Sequence, residues 1–92
     1  MVMSRRNENI GLGNRIRKVR LELLGGDSMN EIAKRLEIHP QTWENYEKGV
    51  TIPALVILRF LALTRVNPDW LLTGEGSLYS DLSNLQENQG TG

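Results

Sequence analysis

The stretch SMNEIAKRLEIHPQTWENYEKG, Ser28 to Gly49, carries two helix signals with almost nothing between them. Ser28-Met29-Asn30-Glu31 reads as an S-x-x-E capping box, in which the hydroxyl and the carboxylate each satisfy an otherwise unpaired backbone N–H at a helix start. Ile32 and Leu36 then face a core, and the small Ala33 between them lets another helix come close. Pro40 suits a first helical position and opens a second helix about three residues after the first should end. Two helices so tightly connected are expected to cross at a steep angle. The second carries Trp43 and Tyr46 one turn apart, while Gln41, Thr42, Glu44 and Asn45 offer hydrogen-bonding groups over the rest of its surface. Gly49 stops it.

Working outward toward the N-terminus, Leu12, Ile16, Val19 and Leu23 recur at helical spacing and form one apolar stripe. Arg15, Arg17, Lys18 and Arg20 occupy the other faces, and Gly25-Gly26 ends the helix. Residues 1–10 are polar, contain the pair Arg5-Arg6 and show no periodicity, so they read as a flexible basic arm. Toward the C-terminus, Pro53 opens a helix running to about Thr64. Leu55, Leu58, Leu61 and Ala62 make one stripe that suffices for the core, and Val56, Phe60 and Leu63 make a second that something should cover. Asn67-Pro68-Asp69 caps a short fifth helix with Trp70, Leu71 and Leu72, stopped by Gly74. The remaining tail has Leu78, Leu82 and Leu85 at helical spacing among Ser, Asn, Gln and Gly, which reads either as disorder or as a short helix that forms on a partner. The expected architecture is all-α, with an arm at 1–10, a domain at 11–76 and a polar acidic tail at 77–92.

With 92 residues the chain has room for one domain and one modest core. It contains no cysteine, which excludes a disulfide scaffold, a thiolate zinc site and a cysteine nucleophile within it, and makes a reducing cytoplasm the expected setting. Its most apolar run, ALVIL followed after Arg59 by FLAL, is far shorter than the ~20 residues a bilayer crossing needs, so no membrane association is expected. Basic and acidic residues balance at 11 each, yet residues 1–74 carry a net +3 and the last eighteen residues −3. A net +3 does not announce a nucleic-acid binder by charge, so the motif must carry that reading. His39 stands alone, with no second histidine and no cysteine, and reads as a surface residue rather than a metal ligand. Paired carboxylates at a plausible site, a Gly-rich phosphate loop and a nucleophile beside a base are all missing, so neither an enzyme nor a cofactor is expected.

The segments LGNRIRKVR, SMNEIAKRLEI, QTWENYEKG, the following Pro53 and NPDWLLTGEG, in this order and spacing, resemble the lambda-repressor-like helix-turn-helix family from Leu12 to about Gly76. The last segment is similar to the end of the DNA-binding domain in many phage and prophage repressors. The resemblance implies that the second helix braces the third, whose N-terminal part enters the major groove of double-stranded DNA. Trp43 and Tyr46 would then face inward. Pro40, Gln41, Glu44 and Asn45 match the groove-facing positions, and a Gln or Asn carboxamide suits adenine. Glu44 would accept from a cytosine amino group, Thr42 would touch a phosphate or a thymine methyl, and Lys34, Arg35 and Lys48 would neutralise phosphates. Arg20 and Glu47 match a structural ion pair that ties the first helix to the end of the third.

Four departures from the family pattern stand out. Met29 replaces the Gln that often holds a phosphate at the start of the second helix, leaving only the backbone N–H there for that contact. Glu37 stands where the turn commonly has Gly, and Val50-Thr51-Ile52 replaces a loop that is often basic. Gly25-Gly26 lengthens the first loop. Fewer phosphate contacts imply weaker and less salt-sensitive binding.

Such proteins bind as homodimers on palindromic sites, and Val56, Phe60 and Leu63 with Trp70 are the expected dimer face, the alternative being that the tail covers this stripe. Arg5-Arg6 reads as a solvated arm, with minor-groove insertion as the alternative. The leading functional expectation is a transcriptional repressor of phage or prophage type, cytoplasmic and associated with the bacterial nucleoid. An antitoxin or restriction-modification controller of the same fold is the nearest alternative, with a protein partner on the tail. A protein-interaction module that no longer binds DNA is the alternative from another class.

Overall fold

The computed structural model describes residues 2–79, with side chains from Gly11 onward. Among these residues the chain is all-helical, in the order α1 (Val2–Leu24), α2 (Met29–Leu36), α3 (Pro40–Glu47), α4 (Ala54–Thr64) and α5 (Pro68–Thr73). Helix α1 packs against α2, α3 and α5, while α2 packs against α3 and α4. The helix ends follow the local signals. Gly25, Gly49 and Gly74 all take left-handed backbone angles just past a helix, where a Cβ is disfavoured. Asn67 Oδ1 accepts from the Asp69 backbone N–H at 3.1 Å, capping α5. The backbone helix of α1 extends back to Val2, through the segment expected to be an arm. The Arg5 and Arg6 side chains, and the tail positions Leu82 and Leu85, lie outside the described residues.

The core is built on Ile16 and Val19 of α1, Ile32, Ala33 and Leu36 of α2, Trp43 and Tyr46 of α3, Val56 and Phe60 of α4, then Val66 and Leu71. Trp43 sits at its centre, stacked on Phe60 with ring centroids 5.5 Å apart and edge-on to Tyr46 at 6.4 Å. Aromatic pairs in these geometries add about 1 kcal/mol each beyond their buried area.

That stacking turns α4 away from the expected rotation: of the expected core stripe only Leu61 packs against the core. Phe60 and Val56 are only 1% and 7% exposed, whereas Leu55 and Leu58 are 57% and 61% exposed and Ala62 is also on the surface. Val56 and Phe60 are therefore core residues and belong to no dimer face, Leu63 is exposed as that face would need, and Trp70 is half-buried against the core. Thr64 completes the inward face of α4, its hydroxyl donating to the Phe60 carbonyl at 2.8 Å.

Two further expectations change. Leu23 is exposed, because at the end of α1 the inward face passes through Arg20 and Leu24, which packs against the core in its place. Ser28 does not cap α2: its hydroxyl donates to the Gly25 carbonyl and accepts from Arg20 Nη1 at 3.0 Å. Glu31, the other half of the expected capping box, turns instead to Arg35, whose Nε lies 2.7 Å from Glu31 Oε2.

Candidate nucleic-acid interface

The turn between α2 and α3 is Glu37-Ile38-His39, closed by hydrogen bonds from Glu37 N–H to the Lys34 carbonyl and from Ile38 N–H to the Ala33 carbonyl. This is a Schellman closure, which needs one residue in the left-handed region. Glu37 supplies it, at φ 61 and ψ 43. Ile38 follows, partly buried against the core, and His39 and Pro40 start α3 without a side-chain cap. The far end of α3 closes in the same way, through Gly49 N–H to the Tyr46 carbonyl and Val50 N–H to the Asn45 carbonyl, both 3.0 Å.

Two contacts fix α3 against α1, and a bond within α3 supports the first of them. Arg20 makes a two-pronged bond to Glu47, Nε to Oε2 at 2.7 Å and Nη2 to Oε1 at 3.0 Å, with the side chains 4% and 7% exposed. Trp43 Nε1 donates to the same Glu47 Oε2 at 2.5 Å, so the carboxylate serves both a charged and a neutral donor. Gly13 then allows the α1 backbone to lie directly against the end of α3: a Cβ there would stand 2.7 Å from the carbonyl oxygens of both Tyr46 and Glu47. Gly13 was missed in the sequence, although an isolated Gly within a helical pattern is a signal of close packing. On the other side of α1, Arg15 Nε donates to the Leu71 carbonyl at 2.6 Å, holding α5 in place; burial lowers the pKa of that guanidinium.

With Trp43 and Tyr46 inward, the outward surface of α3 carries the expected readers. Gln41 is exposed, and Pro40, Thr42, Glu44 and Asn45 are partly exposed. Gln41 and Asn45 touch, Gln41 Nε2 donating to Asn45 Oδ1 at 3.2 Å. Glu44 and Lys48 also pair, Nζ to Oε2 at 3.1 Å. Lys34 and Arg35 are exposed on α2, and Met29 at its start is partly buried against the core, so its side chain serves packing. The bond from Arg35, aided by its charge, holds the pKa of the Glu31 carboxyl below its ordinary value. Of the three basic residues near the face, Arg35 and Lys48 thus already have acidic neighbours. Beyond α3, Val50 and Thr51 are exposed and add no charge.

The face is a rigidly mounted short helix, rich in amide, hydroxyl and carboxylate groups and close to neutral. Among the described residues no cluster of His, Asp and Glu has the arrangement of a metal site, and no helix is long and apolar enough to cross a membrane. No protein-family model, curated protein or solved structure matches the chain.

Proposed function

We propose that this chain is a sequence-specific double-stranded DNA-binding regulator with the lambda-repressor-like helix-turn-helix fold, similar in pattern to phage and prophage repressors. In this reading α3 enters the major groove and α2 braces it. The observation that carries the proposal is the anchoring of α3 by Arg20, Trp43 and Glu47, which leaves Gln41 and Asn45 on the surface as unburied carboxamides. A side chain that must discriminate bases has to be held in register by a stiff support, and a carboxamide is the group that matches an adenine edge. Lys34 and Thr42 bind phosphates directly, joined by Arg35 and Lys48 once these exchange a carboxylate for a phosphate.

Two copies would pair through the outward face of α4 and so bind a palindromic operator. That face consists of Leu55, Leu58 and Ala62 rather than Val56 and Phe60. The role is binding rather than catalysis, and occupancy of the operator blocks polymerase. The test is recovery of protein-bound duplexes from a random pool: this reading requires an enriched palindrome, and recovery of unselected sequence contradicts it.

A second reading keeps the fold and gives up DNA. It is favoured by one observation, the neutralisation of Arg35 by Glu31 and of Lys48 by Glu44 on the very face that would meet phosphates. Binding that stays negligible at low salt selects it, because the electrostatic component of any DNA binding is strongest there.

A further inference from the structure

The Gln41–Asn45 contact has a chemical consequence for the sequence that α3 would read. A primary carboxamide has two N–H donors and one carbonyl acceptor. In the bond from Gln41 Nε2 to Asn45 Oδ1 at 3.2 Å, one donor of Gln41 is used and its Oε1 and second N–H stay free. Turning the Gln41 carboxamide over by itself would bring Oε1 against Asn45 Oδ1, so the two carboxamides are oriented together. Gln41 is exposed and otherwise has no partner among the described residues that would hold its outer torsions. Glu44 lies on the same helix but is engaged with Lys48 and does not compete for it.

We propose that Gln41 and Asn45 act as one reading unit, with Asn45 a positioning residue that presents the free N–H and Oε1 of Gln41 to a single adenine. The inference rests on the DNA-binding reading above. Adenine offers N7 as acceptor and N6 as donor in the major groove, which complements one N–H and one carbonyl. Guanine offers two acceptors, N7 and O6, and would set O6 against Gln41 Oε1. Asn45 keeps its own Nδ2 free for an acceptor on a neighbouring base pair. The helix backbone carries the unit without strain, because residues four apart lie one above the other.

Holding one rotamer-rich side chain in its bound form spares the cost of ordering it, so losing Asn45 should reduce the adenine preference by about threefold to tenfold. The experiment is selection from random duplexes with wild type, Asn45→Ala, Asn45→Asp and Gln41→Ala, followed by binding to the enriched duplex with the adenine intact or replaced by 7-deazaadenine. Side-chain amide NMR of the free proteins accompanies it. Asn45→Ala and Gln41→Ala should lose preference at the same base pair, and 7-deazaadenine should weaken wild type more than either. Asn45→Asp keeps the acceptor and should retain the adenine preference even where total affinity falls. The Gln41 amide resonances should move in Asn45→Ala, with the melting temperature unchanged. If wild type enriches a motif and Asn45→Ala keeps the full preference at every position, the coupled unit is wrong while DNA reading stands. If wild type enriches nothing, both are wrong.

Discussion

Arg20 and Glu47, twenty-seven positions apart, meet through two parallel hydrogen bonds in the interior, and the same carboxylate accepts from Trp43 at the centre of the core. The pair joins α1 to the end of α3, and Arg20 also reaches the Ser28 hydroxyl just before α2. Glu47→Ala strands a buried guanidinium and leaves the indole N–H unpaired. Removing one partner of a buried pair costs about 3–5 kcal/mol, a large share of the stability of a domain this small. The expected outcome is loss of a cooperative thermal transition near the wild-type midpoint; an unchanged melt contradicts the role given to the pair.

Gly13 sets how closely α1 can approach α3. A methyl group there meets two backbone carbonyl oxygens at 2.7 Å, and backbone cannot swing aside as a flexible side chain would. Gly13→Ala should therefore destabilise by about 1–3 kcal/mol despite the better helix propensity of Ala. Gly26, which has open space around its Cβ position, is the control: Gly26→Ala should leave the denaturation midpoint nearly unchanged.

Glu37 makes the opposite prediction. Its left-handed backbone, at φ 61, is a conformation in which a Cβ is penalised and Gly is at ease. Glu37→Gly should stabilise the domain by about 0.5–1 kcal/mol, raising the melting temperature by roughly 2–8 °C. A lower melting temperature would show that the Glu37 side chain contributes something the backbone geometry does not reveal.

The orientation of α4 can be tested with two substitutions. Phe60→Ala removes the ring stacked on Trp43 and should cost about 3–5 kcal/mol. Leu58→Lys alters a side chain that is 61% exposed and should shift the monomer's stability by no more than about 0.5 kcal/mol. In sedimentation, Leu58→Lys should favour the monomer; self-association equal to wild type would rule out this face as the dimer contact.

The helices were legible in the sequence because their boundaries are local. Gly25, Pro40, Gly49, Asn67-Pro68 and Gly74 act through their own backbone preferences, and the structure follows each of them. The burial of Trp43 and Tyr46 was legible through the family resemblance, which implies that both face inward. The face of α4 was not, because apolar residues lie all round that helix and only the long-range Trp43–Phe60 stack selects between them. Ser28 misled for a related reason: its sequence satisfies a capping box, but Arg20 and the Gly25 carbonyl reach its hydroxyl from outside the helix. On the candidate interface, the outward positions of Gln41 and Asn45 could be read from spacing. The pairing of Glu44 with Lys48 and of Glu31 with Arg35, which limits the free positive charge, was seen only in the structure.

Fluorescence anisotropy measures directly whether the outward face of α3 reads DNA. Wild type and Gln41→Ala/Asn45→Ala should be titrated with an enriched duplex and a scrambled one at two salt concentrations. Wild type should prefer the enriched duplex, affinity should fall as salt rises, and the double substitution should lose the preference while keeping the weak, salt-dependent binding to both duplexes. Equal affinity of wild type for the two duplexes, or a preference that survives the double substitution, would contradict DNA reading by this face.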